Sequence, residues 1–319
     1  MRRHSASTHS VRGSAALAGV LRAAAVLAAA AAVAVGGLAP ASAAEPAAES
    51  PQGARAYWTS EKIWAAEPDQ EEPATQPPPV AALGSADQAS SGSGAGVNVT
   101  VGRLFFRKPT GDAYCTAAAV NSATRNLIIT AAHCVHAGGA GQRYYDDFLF
   151  APGWKNGPSV HGYWTATAVG APPEWTQSKK WDHDYAFVRL AADNGRQLVD
   201  RVGGNAVVGG AGHVVPDAQI WAYPGDAPYT GQVAYRCVVT TTRPFSYAPD
   251  ARAGCDFNHG ASGGPWLKDV LPSGQGYIWA VTSRCESAPG GGGACAGTAL
   301  FAAPLPPDVY ALRDAVGSR

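Results

Sequence analysis

Residues 258 to 266 read Asn258-His259-Gly260-Ala261-Ser262-Gly263-Gly264-Pro265-Trp266. Four small residues around one serine leave its hydroxyl accessible and let a foreign carbonyl carbon approach the backbone on either side. A serine hydroxyl is a weak nucleophile alone. Acyl-transfer chemistry also needs a base, a group that orients the base, and donors for an oxyanion. Without them the same nine residues describe a glycine-rich hairpin turn with an idle serine.

Gly260-Ala261-Ser262-Gly263-Gly264 also satisfies G-x-S-x-G, the nucleophile elbow of α/β-hydrolases. That elbow runs into a helix, and Gly263-Gly264-Pro265 is a poor helix start. Its triad places the histidine after the serine, and no histidine follows His259. Chain order therefore excludes that fold and sends the search for a base upstream, to His133, His136, His161, His183, His213 and His259 itself.

His133 closes the apolar run Leu127-Ile128-Ile129-Thr130-Ala131-Ala132 and precedes Cys134. A strand end beside a half-cystine can hold an imidazole firmly while its tip faces a cleft. His136 and His161 lack such anchoring and read as surface groups. His133 and His136 could share a metal, but no third ligand of suitable type is evident, so neither metal nor cofactor is expected. The orienting carboxylate should be buried against the base. Asp184 heads Tyr185-Ala186-Phe187-Val188-Arg189-Leu190, a core-strand pattern, and is preferred over Asp182, which would share its face if the strand began earlier.

The 319 residues are 46% hydrophobic and 15% charged with zero formal net charge, so bulk electrostatics favour neither nucleic acid nor an anionic membrane. Arginines at 2, 3, 12 and 22 precede an apolar run from Ala23 to Leu38 that closes on Pro40-Ala41-Ser42-Ala43. Residues 1–43 thus read as a secretory signal peptide rather than a membrane anchor, the apolar run being short for a span. The expected product is extracellular and free of the membrane. Six cysteines in an exported chain suggest three disulfides, each closing a short loop: Cys115–Cys134, Cys237–Cys255 and Cys285–Cys295.

Residues 44–96 are rich in Pro, Glu and Ser and read as a propeptide or disordered leader, in which Tyr57-Trp58 and Ile63-Trp64 could alternatively dock on the folded part. From residue 97 short apolar runs alternate with turn residues: 99–106, 116–120, 127–131, 148–151, 163–169, 185–190, 220–222, 233–241, 277–281 and 298–302. No crossover helix separates them, which predicts an all-β sandwich or barrel pair. Only the tail from Val309 reads as a helix, with Asp308 as its N-cap.

The order His133, Asp184, Ser262 is that of chymotrypsin. Thr130-Ala131-Ala132-His133-Cys134, Asp184-Tyr185-Ala186-Phe187-Val188 and Gly260-Ala261-Ser262-Gly263-Gly264-Pro265-Trp266, with Cys115 upstream, resemble the chymotrypsin-fold serine proteases, most closely secreted bacterial trypsin-like and V8-like members. The resemblance covers residues 97–319. It implies two antiparallel six-stranded β-barrels with a short C-terminal helix, and a secreted serine endopeptidase, a monomer acting on protein or peptide substrates, or an inactive binding module of that fold. By the same resemblance His133 is the general base, Asp184 its orienter and Ser262 the nucleophile, with the N–H groups of Gly260 and Ser262 as oxyanion hole. Many relatives carry aspartate before the serine, where it receives a newly cut N-terminal ammonium; Ala261 departs from that pattern. Asp256, six residues before Ser262, stands where trypsin-type relatives bind Lys or Arg. His259 and Arg284, near the segment Ala280-Val281-Thr282-Ser283 that should border the substrate backbone, are candidate donors for the opposite, glutamyl preference.

Overall fold

The computed structural model describes residues 47–70, 98–288 and 293–318. The expected signal peptide lies outside them. Fifteen strands and five α-helices follow one another in chain order. In the N-terminal segment these are β1 (Ala47–Ala48), α1 (Pro51–Tyr57), α2 (Ser60–Ala65) and β2 (Glu67–Pro68). The first half of the main body holds β3 (Val101–Lys108), β4 (Gly111–Val120), β5 (Leu127–Thr130), β6 (Asp146–Pro152), β7 (Trp164–Gly170), α3 (Pro173–Ser178), β8 (Ala186–Leu190) and α4 (Leu198–Val202). The second half holds β9 (Ala206–Val207), β10 (Ala218–Ala222), β11 (Tyr235–Val239), β12 (Ala251–Ala253), β13 (Pro265–Lys268), β14 (Tyr277–Ser287), β15 (Cys295–Pro304) and α5 (Val309–Gly317).

Strands β7-β6-β3-β4-β5-β8 pair in that order, and β7 pairs with β8, so the first sheet closes into a six-stranded antiparallel barrel. The second sheet runs β11-β10-β13-β14-β15-β12 and curls into a half-barrel. Its ends approach through the isolated bridge Thr242↔Arg252 and the disulfide Cys237–Cys255, which ties β11 to the residues after β12. The architecture is the all-β, chymotrypsin-like one expected from the sequence. The expected closure of the second barrel is reduced to that one bridge.

The strands read as solid apolar runs because both faces are buried. On β4, Ala113, Cys115, Ala117 and Ala119 fill the first barrel, while Tyr114, Ala118 and Val120 face a second core that also takes in Trp221, Tyr223 and Leu267 from the other half. Successive residues point to opposite faces, so one strand serves two cores. Helix α5 inserts Val309, Leu312 and Val316, at helical spacing, into the same shared core. Asp308 stands at its N-cap position, but its side chain makes no capping bond there; the first turn is closed by its carbonyl accepting from the Ala311 N–H.

Residues 47–70 pack on the first barrel. Ser50 caps α1 by accepting from the Gly53 N–H and Thr59 caps α2 by accepting from the Lys62 N–H, local signals that a Pro- and Ser-rich composition obscures. Trp58 and Ile63 are 7% and 5% exposed, and the Trp58 ring lies 5.6 Å from Phe105 while its indole N–H donates to the Asp147 carbonyl. Strands β1 and β2 extend the barrel sheet, antiparallel on β7 and parallel on β4.

This docking buries one carboxyl at a cost. Glu49 sits near Asp146 and Asp147, and desolvation together with these like charges raises its pKa to about 7. A carboxyl whose folded pKa is raised binds its proton more tightly when docked, so stability is lost as pH rises from the ordinary value towards the raised one. Relative to Glu49→Gln, the wild-type segment should therefore undock progressively between about pH 5 and about pH 8, read as faster amide hydrogen exchange over residues 47–70. A pH-independent difference between the two proteins would contradict this.

Candidate active site

His133 lies in a single turn, Ala132–Cys134, directly after β5, and Cys134 is bonded to Cys115 on β4. Its backbone N–H donates to Asp184 Oδ1 at 2.8 Å and its ring Nδ1 to Asp184 Oδ2 at 2.7 Å. A carboxylate only accepts, so Nδ1 carries the proton and Nε2 is the atom left for chemistry. Asp184 is fully buried at the end of the turn Trp181–His183, just before β8. Asp182, two residues earlier, instead contacts His183 and is 43% exposed in its side chain. The structure thus separates the two candidate carboxylates by what each touches.

A third bond reaches Asp184 from the other half of the molecule. Ser283 Oγ donates to Asp184 Oδ2 at 2.6 Å. The register of β14 on β15 jumps from Thr282↔Ala302 to Arg284↔Phe301, leaving Ser283 without a partner residue across the ladder. Such a bulge re-aims one side chain out of strand alternation. Three donors from two separate segments, two on His133 and one on Ser283, offset the desolvation of this fully buried carboxylate. Ser283, read from sequence as bordering a substrate, has its hydroxyl spent on this carboxylate.

Ser262 sits in a turn whose geometry only glycine permits. Gly260 and Gly263 have φ of +86° and +77°. A Cβ on Gly263 would stand 2.1 Å from Thr130 Oγ1 and 2.3 Å from the Thr116 carbonyl; one on Gly260 would stand 2.7 Å from the Tyr223 carbonyl. Both conformation and space exclude a side chain. The turn is stitched to β14 by Gly263 N–H to Thr282 O (2.7 Å) and Thr282 N–H to Gly264 O (2.8 Å). From the first barrel, Thr116 gives its N–H to the Ser262 carbonyl at 2.8 Å and its hydroxyl to the Gly260 carbonyl at 2.8 Å. The same hydroxyl accepts from the Tyr223 N–H at 2.9 Å.

Around the imidazole stand aromatic and charged side chains. Trp175 and Trp181 lie 6.4 and 6.2 Å from the His133 ring. Arg284 stacks over Trp181 at 4.7 Å and pairs with Asp250 at 2.7 Å. Burial raises the Asp250 pKa, and the guanidinium opposes that shift. His259 is engaged by Asp226 (Nδ1 to Oδ2, 2.5 Å) and by the Gly293 carbonyl (3.0 Å). The two basic groups expected to receive a substrate carboxylate already face carboxylates of the protein. Burial and the neighbouring Asp256 charge raise the pKa of the Tyr229 hydroxyl, and Asp256 Oδ1 has no hydrogen-bond partner among the described residues.

Two sequence expectations are corrected here. His136 is not a surface group: it is 3% exposed, accepts from the Gly138 N–H and donates to the Gln142 carbonyl, and its burial lowers its pKa. His161 is half-buried rather than exposed, and burial lowers its pKa as well. Among the described residues His and Cys ligand atoms approach one another around Cys115–Cys134 and Cys285–Cys295, and both places offer disulfide sulfurs and not the thiolates a metal requires.

Solved structures with this architecture include the thermostable serine protease AL20 from an extremophilic microorganism, 26% identical over 69% of this chain and 98% of that one, with a TM-score of 0.63. The protease Anisep from Arthrobacter nicotinovorans is also 26% identical, over 71% of this chain and 99% of that one, with a TM-score of 0.63. A Glu endopeptidase solved in complex with MPD shares the fold at 18% identity and a TM-score of 0.54, over 70% of this chain and 92% of that one. No family model and no curated protein matches the sequence. In fold, the chain is similar to bacterial chymotrypsin-like serine proteases.

The Thr116 hydroxyl should be the most sensitive support of the Ser262 turn. Thr116→Val strands the Tyr223 N–H and the Gly260 carbonyl in a buried place, a loss on the order of 1–3 kcal/mol. Thr116→Ser keeps both bonds. Thermal unfolding should show a clear drop in Tm for the valine variant and a much smaller one for the serine variant.

Proposed function

We propose that this chain is a secreted serine endopeptidase in which Ser262, His133 and Asp184 form the catalytic triad. The observation that carries this reading is the buried His133–Asp184 pair, with Nδ1 and the backbone N–H of His133 both bonded to one carboxylate. The glycine-bracketed Ser262 turn, held to both halves of the molecule, supports it. So do the serine proteases among the structural neighbours.

In the proposed reaction, Ser262 Oγ attacks the scissile carbonyl carbon while its proton passes to His133 Nε2. The imidazolium so formed is stabilised by Asp184, which stays ionised. The carbonyl oxygen becomes an oxyanion and is received by the N–H groups of Gly260 and Ser262. Collapse of the tetrahedral intermediate breaks the C–N bond as His133 delivers the proton to the leaving amine. Water then attacks the acyl-enzyme, again with His133 as base, and frees the carboxylic acid and Ser262. No metal or cofactor enters the sequence.

For the first pocket, the reading with support is cleavage after Lys or Arg. Among the described residues Asp256 keeps one carboxylate oxygen without a partner, whereas Arg284 and His259 are committed to Asp250 and Asp226. A buried cation needs such a partner. Residues 1–43 act in this proposal as an export signal, 44–96 as a leader and 97–319 as the protease domain, which works as an extracellular monomer on protein or peptide substrates. The second reading, an inactive binding module of the same fold, predicts no reaction with serine-directed reagents.

A peptide-library cleavage assay on the secreted protein tests these assignments. Ser262→Ala should abolish turnover to background, and Asp184→Asn should lower kcat by roughly 10⁴-fold through loss of the correct imidazole tautomer. Cleavage should concentrate after basic residues, and Asp256→Ala should remove that preference. Turnover unchanged in Ser262→Ala would refute the mechanism, and cleavage after Glu would refute the pocket assignment alone.

A further inference from the structure

The loop that precedes Ser262 is fastened at a second place, one that the triad does not use. His259 Nδ1 donates to Asp226 Oδ2 at 2.5 Å, and the His259 carbonyl accepts from the Gly225 N–H at 2.8 Å. Asn258 completes the junction: its Nδ2 donates to the Asp226 carbonyl at 2.8 Å and its Oδ1 accepts from the Asp226 N–H at 3.2 Å. Residues 225–226 and 258–259 are therefore zippered by four hydrogen bonds. His259 is buried at 4% exposure, while Asp226 keeps 42% of its side chain accessible.

The bond from Gly225 has a directional effect. A trans peptide is planar, with its C=O and the following N–H pointing in opposite directions. Fixing the His259 carbonyl on Gly225 therefore fixes the Gly260 N–H pointing away from Gly225. Gly260 is the residue at which this peptide could most easily turn over, because glycine lacks the Cβ that restricts φ and ψ. Its own carbonyl is held by the Thr116 hydroxyl. Ala261, next in the chain, is 1% exposed and has no charge with which to anchor the loop.

We infer that Asp226 is a positioning residue for the proposed hydrolysis: through His259 and Asn258 it locks the 259–260 peptide so that the Gly260 N–H is presented to the oxyanion. This rests on the proposed triad function and adds to it the element that orders the oxyanion side within the folded domain. Both nitrogens of His259 face oxygens, Asp226 Oδ2 and the Gly293 carbonyl, so the lock spans three loops. Loss of the Asp226 carboxylate removes the only one of the four bonds that reaches the His259 ring, so the flexible glycine then depends on the backbone bonds of residues 225 and 226 and on Thr116.

The test compares wild type, Asp226→Ala and Asp226→Asn in the secreted full chain. An oxyanion donor that is out of place part of the time should cost kcat about ten- to a hundred-fold, with KM changed far less. Affinity for a peptide aldehyde, which forms an oxyanion on the serine, should fall with kcat. Asp226→Asn keeps an oxygen acceptor for His259 and should recover part of the loss, at an unchanged Tm. A kcat in Asp226→Ala equal to wild type overturns the inference, as does a loss that appears only in KM or that tracks a fallen Tm in both variants. Wild type that fails to react with a fluorophosphonate overturns the triad reading and this inference with it. Wild type and Asp226→Ala that react at the same rate overturn the inference alone.

Discussion

The hydroxyl of Thr116 is the point on which the two halves of the molecule depend. It lies in the middle of β4, a strand of the first barrel, and bonds the Gly260 carbonyl and the Tyr223 N–H of the second half. The Thr116 N–H takes the Ser262 carbonyl, and the Thr116 carbonyl accepts from the Thr130 hydroxyl on β5. One buried residue thus satisfies backbone groups of both sheets and of the turn that carries the serine. Buried polar groups of this kind must be paired, and pairing them across the junction sets the relative position of the segments. The fully buried Thr130 and the missing side chain of Gly263 follow from the same crowding.

The Asp184 carboxylate is the complementary constraint. It gathers His133 from the first barrel and Ser283 from the second half, so the orientation of the imidazole depends on the register of β14 against β15. In a regular ladder Ser283 would stand opposite a residue of β15; the bulge leaves it without one. The carboxylate can be buried without water because its donors arrive from segments that the packing of the two halves has already brought together. Trp175 and Trp181 pack beside the His133 ring and edge-on to each other, and Arg284 with Asp250 forms a separate ion pair on the face of Trp181.

The N-terminal segment obeys the same logic of covering apolar surface. The outer face of β3 presents Phe105, and Trp154 lies 5.6 Å from it. Trp58, Ile63 and Ala66 complete this core. Arg103 is enclosed there at 1% exposure, stacked 3.5 Å above the Tyr114 ring, and desolvation lowers its pKa to about 10. Among the residues nearby, Tyr114 is raised to about 12 by its own burial. Docking therefore closes over a cation whose main compensation is the faces of aromatic rings.

The sequence by itself determined the all-β class, the ten apolar runs that became strands, and the chain order of histidine, aspartate and serine that separates this fold from the α/β-hydrolases. Those are local patterns or simple orderings, visible without knowing what lies opposite. The disulfides were legible for the same reason, since each closes a loop of at most 19 residues. Pro265–Lys268 escaped notice because its glycine-rich lead-in masks a short strand, and α1 and α2 because their caps sit in a proline- and serine-rich stretch. Only the tertiary structure decided that Asp184, not Asp182, meets the histidine, that Ser283 supports it from 99 residues away, and that Asp226 engages His259 across 33. Such contacts depend on strand register and on how two sheets meet, and a one-residue slip in either would have aimed the same side chains elsewhere.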